Sequence, residues 1–309
     1  MEEKTNVSKE LKEKLFLQRK NGYTRIDEIE EKAIFEFAED YKKFLDIAKT
    51  EREAVCEATK LLEANGFVEY KADMKLSAGD KIYRNNRGKA IIAAVIGTAP
   101  ISEGVRLCAA HIDSPRLDLK QNPLYEDNEL ALFKTHYYGG IKKYQWTTIP
   151  LSLHGVIIKA DGTSVTVNIG EDENDPVFCV TDLLPHLATE QMTRTATKII
   201  RGEDLNLLIG SIPFRDDEAS EAVKLNIMNI LFEKYGITEA DFISSELEAV
   251  PAFKARDIGF DRSLVGGYGH DDRCCAYPAL RAAIGCESPV HTTVTILADK
   301  EETGSDGNT

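Results

Sequence analysis

Two apolar runs constrain this chain more than anything else in it. KAIIAAVIG (residues 89–97) and GVRLCAAHID (residues 104–113) are of strand length and nearly unbroken by polar residues. A strand with one wet face alternates polar and apolar side chains, whereas a strand that stays apolar is covered on both faces. Strands of that kind need a sheet with helices packed on it, which makes the fold α/β. The surrounding sequence supplies the helices. Within residues 26–65, Ile29, Ala33, Phe37, Tyr41 and Phe44 recur at helical spacing, followed by Ala48, Ala54 and Leu61. Gly66 then ends a helix. KIYRNN and, near the end of the chain, HTTVTILAD are further strands. DDRCCAYPALRAAIG is a helix with acidic residues at its start, where the macrodipole favours them, and Pro278 predicts a kink.

Between about 119 and 251 the texture changes. PLSLHGVIIKADGTSVTVNIG alternates around an Asp-Gly turn and reads as a hairpin. EDENDP reads as a solvated acidic loop; it lacks the turn glycine and closing glutamate of a calcium loop. Residues 217–235 read as a helix anchored by Ala222, Leu225, Ile227 and Ile230. The expected organisation is a catalytic α/β domain of residues 1–118 and 252–309, interrupted by a β-rich domain at 119–251.

Charge and cysteine usage exclude several functions. Acidic residues outnumber basic ones, 52 to 38, for a net charge of −14, the wrong sign for a nucleic-acid partner. The N-terminus has no signal-peptide pattern, and no run approaches the length of a membrane span. The six cysteines form no CxxC pair and no dense framework, so buried free thiols in a reducing cytoplasm are expected.

Three motifs carry chemistry. In AAHIDSP, His111 and Asp113 lie two apart at a strand end, on the same face by strand periodicity. Strand ends are where α/β sheets place their sites. An imidazole there can ligate a metal through one nitrogen while a carboxylate holds the other; the alternative is a hydrogen-bonded histidine at a capped strand end. In GGYGHDDRCC, three glycines permit close backbone approach before Asp271 and Asp272 open a helix. A carboxylate can bridge two cations about 3.5–4 Å apart; the alternative is N-capping by Asp271. In ADKEETGSDGNT, Glu301 and Glu302 follow an apolar strand. One can bind metal while its neighbour acts as general base; the alternative is a solvated charge cluster.

Taken together, AAHIDSPRLDLK, GGYGHDDRCCAYPAL and ADKEETGSDG resemble the M18 family of metalloaminopeptidases, and YYGGIKKYQW and LLPHLA resemble further M18 segments. The resemblance implies a zinc-peptidase-like catalytic domain, a mixed sheet flanked by helices, interrupted by a β-rich oligomerisation domain. It implies two divalent metals, zinc first, with cobalt or manganese as alternatives. His111 would ligate one metal, oriented by Asp113; Asp271 would bridge both, with a cis peptide to Asp272; Glu302 would ligate the second; Glu301 would be the general base. His186 matches a histidine that reaches a neighbouring subunit's active site; the alternative is a buried or capping histidine in its own domain. Peptides with a free N-terminus would be the substrates, and the protein would be a cytoplasmic homo-oligomer, commonly a dodecamer in this family. Two further ligands expected after the Glu-Glu motif have no counterpart before Thr309, so the sequence is expected to be C-terminally truncated and inactive by itself. The competing readings are a related di-zinc deacylase or M42-type peptidase, and a catalytically silent assembly module.

Overall fold

The computed structural model describes residues 2–216 and 220–304. Residues 217–219, at the start of the helix expected over 217–235, and 305–309, the tail of ADKEETGSDGNT, lie outside the described residues. In chain order the helices are α1 (Glu2–Leu15), α2 (Glu28–Ile47), α3 (Glu51–Ala64), α4 (Ala222–Tyr235) and α5 (His270–Ile284). The first strands are β1 (Val68–Glu69), β2 (Lys81–Asn86), β3 (Ala90–Val95), β4 (Arg106–His111), β5 (Arg116–Asp127), β6 (Leu130–Tyr138) and β7 (Leu151–Ile158). The remaining ones are β8 (Ser164–Ile169), β9 (Cys179–Val180), β10 (Leu207–Gly210), β11 (Ser245–Pro251), β12 (Arg256–Ile258), β13 (Leu264–Gly266) and β14 (Thr293–Ala298). The chain divides into two units, Met1–Tyr41 and Lys42–Thr309. The first holds α1 and the first part of α2; both large sheets lie in the second.

Five strands form a mixed α/β sheet in the order β1-β2-β3-β14-β4. β14 runs antiparallel to β3 and parallel to β4, which sets His111 beside Ala298. β3 is covered much as its apolar run predicts. β4 differs: among the described residues it pairs with β14 on one side, and Arg106 through Ala109 are exposed. An apolar run records composition, not the number of neighbours the strand acquires.

Seven strands form a second sheet in the order β8-β7-β11-β5-β6-β10-β9. Bridges from Thr147 to Val180 and from Leu151 to Phe178 bring its β9 edge to the start of β7, so the sheet curls around a core that includes Leu117, Phe133, Leu151, Leu205 and Phe242. The hairpin around Asp161-Gly162 is β7–β8, as its alternation predicts.

Several local expectations change. The helical period of residues 26–65 is carried by two helices, because Thr50 breaks the run and caps α3 in a reciprocal capping box with Glu53. α4 buries Val223 and packs Ile227, Met228 and Leu231 against the core, while Leu225 and Ile230 face outward. In α5 the departure from helical angles falls at Asp271 and Asp272, not at Pro278. EDENDP is a loop, yet its first residue, Glu171, is well covered and accepts bonds from Ser152 and Lys254 and pairs with His154. The cysteines are free but not buried: Cys56, Cys108, Cys274 and Cys275 are exposed and Cys179 and Cys286 half-buried. Cys108 lies on β4, and Cys274 and Cys275 follow the first turn of α5.

Candidate metal centre

Only residues 112–115 separate β4 of the first sheet from β5 of the second, so His111 and Asp113 stand at the junction between the two. The His111 ring sits with Nδ1 3.0 Å from the Asp113 carbonyl oxygen and 3.2 Å from its Oδ1. That leaves Nε2 facing Asp271 Oδ1 at 3.1 Å and Glu301 Oε2 at 3.5 Å. Asp113 is fully buried. Its carboxylate also accepts the backbone N–H of Glu301 (3.3 Å) and of Glu302 (3.1 Å), and the Tyr138 hydroxyl (2.6 Å). The two glutamates lie on a 3-10 turn, Glu301–Thr303, just past the end of β14.

Asp271 reaches the site through an unusual stretch of backbone. Gly269 adopts φ +85°, in the left-handed region; a Cβ there would lie 1.9 Å from Arg273 Nη1. Arg273 is completely buried and donates to the carbonyls of Lys49 and Ile112, pinning the helix start to the strand end that carries His111. The Asp271–Asp272 peptide is cis, and the Ser114 hydroxyl donates to the Asp271 carbonyl (2.7 Å). Asp271 does not cap the helix; Gly269 holds the N-cap position and provides no side chain.

The electrostatics follow from crowding carboxylates on one imidazole. Burial disfavours charge on His111, but Asp113, Glu301 and Asp272 outweigh it and raise the ring's pKa. Glu302 is pushed up by burial and by the facing Asp271 and Asp113, against a backbone N–H from Gly140 and the His111 ring. Such a set suits a divalent cation. It offers one imidazole nitrogen whose partner nitrogen is already fixed, and carboxylates that a positive charge would relieve of mutual repulsion. His111, Asp271 and Glu302 are the side chains that could hold such cations.

The structure thus brings His111, Asp113, Asp271 and Glu301 into direct contact and ties Glu302 to them through Asp113. His186 is elsewhere. It is exposed on the Leu184–Ala188 turn, and among the described residues no hydrogen bond or ion pair joins it to the cluster. Among the described residues, the trio whose donor atoms all lie within 4.8 Å of one another is Asp272, Cys274 and Cys275. Sequence reasoning missed Tyr138, Ser114 and Arg273. Ser114 and Arg273 sit inside AAHIDSP and GGYGHDDRCC and Tyr138 inside YYGGIKKYQW, but the roles of Tyr138, Ser114 and Arg273 come from contacts across 25, 157 and 161 residues.

The family model described as Aminopeptidase I zinc metalloprotease (M18) matches residues 44–309. The chain belongs to the M18 family. It is 55% identical over 294 residues to a probable M18 family aminopeptidase 1 of Clostridium acetobutylicum, covering 94% of this chain and 63% of that protein. The crystal structure of an M18 aminopeptidase from Thermotoga maritima is similar with a TM-score of 0.89 at 48% identity, covering 94% of this chain and 63% of the other. The structure of aminopeptidase I from Clostridium acetobutylicum is similar with a TM-score of 0.85 at 52% identity, covering 94% and 65%. The zinc-peptidase-like α/β fold is therefore that of the M18 relatives, and the chain spans a little under two thirds of their length. No described helix is long and apolar enough to cross a membrane.

Proposed function

We propose that this chain supplies catalytic residues of a two-metal aminopeptidase that removes N-terminal residues from peptides. The observation that carries the reading is Asp113, a buried carboxylate joined both to His111 and to the Glu301–Glu302 turn. One carboxylate thereby fixes the candidate ligands and the candidate base in a common frame. Asp271 would bridge the two metals, with His111 on one and Glu302 on the other. Bound zinc would polarise the scissile carbonyl and lower the pKa of water. The protein's own part is proton handling and orientation. Glu301, 65% exposed and 3.5 Å from His111, would take the proton from the attacking water and deliver it to the leaving amine. Asp113 keeps the imidazole in one tautomer while this happens.

The domain reading extends the same proposal: residues 1–118 and 252–309 form the catalytic part and 119–251 the inserted part. The exposed Leu183, Leu184, Leu187 and Met192 around His186 support a homo-oligomer contact on that inserted part.

The test is Glu301→Gln in the complete enzyme, with metal content and hydrolysis of aminoacyl p-nitroanilides measured together. The amide keeps the shape but takes no proton, so metal should stay bound while turnover falls by about 10²–10⁴-fold. Near-normal turnover at full metal content would remove Glu301 from the role.

A further inference from the structure

The Asp113 carboxylate receives four donors. His111 Nδ1 and the Glu301 N–H lie 3.2 and 3.3 Å from Oδ1, and the Glu302 N–H and the Tyr138 hydroxyl lie 3.1 and 2.6 Å from Oδ2. Three of these come from segments that carry the site's own residues. The fourth comes from the end of β6, in the other sheet, and its bond is the shortest of the set. We propose that Tyr138 is a positioning residue for the metal centre: its hydroxyl sets the plane of the Asp113 carboxylate, and through it the direction of the His111 ring and the place of the Glu301–Glu302 turn. The inference rests on the metal-site reading given above.

Tyr138 is itself rigidly held. It pairs with Arg116 across β5 and β6, and the Arg116 guanidinium lies 3.9 Å from its ring centroid. Arg116 is fixed in turn by Asp118 (2.7 Å) and by Glu51 and Glu248 (3.3 Å each). The ring cannot swing, so the hydroxyl is a stationary donor. A carboxylate turns freely about its last torsion unless both oxygens are engaged. With Tyr138 absent, Oδ2 keeps only the longer bond from the Glu302 N–H. Both the 301–303 turn and the ring nitrogen then lose a fixed reference. Were Tyr138 needed only for packing, its ring would suffice and phenylalanine would serve equally well.

Tyr138→Phe keeps the ring beneath Arg116 and removes one oxygen. Zinc and cobalt affinities would be measured by chelator competition for the wild type, Tyr138→Phe, Asp113→Asn, the double variant and His111→Ala. Tyr137→Phe, on the opposite face of β6, is the control. Tyr138→Phe should weaken metal binding by about tenfold, at the lower end for a group that orients a ligand, and change the visible spectrum of bound cobalt. It should speed amide exchange at Glu301 and Glu302 without affecting β7 or β8. It should add nothing to Asp113→Asn, because it acts through that carboxylate. Wild-type affinity with unchanged exchange, or full additivity with Asp113→Asn, overturns the proposal. If His111→Ala leaves affinity unaltered, the metal-site reading fails instead, and amide exchange alone decides the role of Tyr138. If Tyr138→Phe does not fold, the wild type still answers: Glu301 and Glu302 amides as protected as those of β14 support the tie, and exchange at unstructured rates overturns it.

Discussion

Arg116 is the cation on which a buried acidic cluster depends, and replacing it with methionine is a sharp test of how the two sheets are held. Arg116 is 7% exposed. It faces Glu51 and Glu248, which are buried, and Asp118, with Lys89 Nζ 3.0 Å from the other oxygen of Glu51. These groups come from α3, the turn just before β3, β5 and β11, so the cluster ties α3 to both sheets. Burial alone would raise the pKa of Glu51; Arg116 first and Lys89 second overcome it and hold the carboxyl at about 2, against an ordinary 4.5. A depression of that size is worth on the order of 3 kcal/mol. Asp118 would also lose a charge-assisted bond worth about 1.5–3 kcal/mol. Methionine fills most of the volume but leaves these carboxylates with Lys89 alone. The expected loss is about 3–5 kcal/mol near neutral pH, the range for breaking a buried ion pair. The pH dependence fixes the cause. Because Glu51 has a depressed folded-state pKa, its contribution is complete above about pH 4.5 and disappears as pH falls toward 2. The wild type loses that contribution in acid and the variant has little of it to lose, so the gap between them should narrow. Urea denaturation of both proteins at about pH 7 and about pH 3.5, with m-values compared, measures this directly. A deficit below about 1 kcal/mol at neutral pH, or one independent of pH, would refute the reasoning.

Two further outcomes follow from the site. Gly269→Ala places a Cβ against Arg273 Nη1 at a residue with φ +85°, so it should cost about 2–4 kcal/mol in urea unfolding; a near-neutral result would mean that the buried arginine readjusts freely. Asp113→Asn should weaken zinc binding by about 10–100-fold in chelator competition, and unchanged affinity would show that the Asp113 carbonyl, 3.0 Å from His111 Nδ1, suffices to orient the ring.

Local chemistry made much of this protein legible before any coordinates. His111 ends β4 and Asp113 follows it in the short segment before β5, so nearness in sequence rather than strand periodicity joins them, and β14 places the Glu301–Glu302 turn beside them through parallel pairing. The Asp-Gly hairpin, the helix after Asp272 and the apolar β3 likewise follow from patterns a few residues long. The split between α2 and α3 was written there too, in Thr50 and Glu53, but the apolar period ran across it and concealed the cap.

What tertiary structure alone decided depends on distance along the chain. Nothing local to Tyr138 says that its hydroxyl meets a carboxylate 25 residues earlier, and nothing local to Glu51 says that it will be buried beside Arg116 and Glu248. The exposure of Cys108 and Leu107 among the described residues is of the same kind: their run is as apolar as a central strand, and it is the strand order that places β4 beside β14 alone there. The cause is common to all three. Period and propensity act between residues that are neighbours in sequence, while burial of a charge, donation to a buried oxygen and the covering of a strand depend on which distant segment arrives alongside.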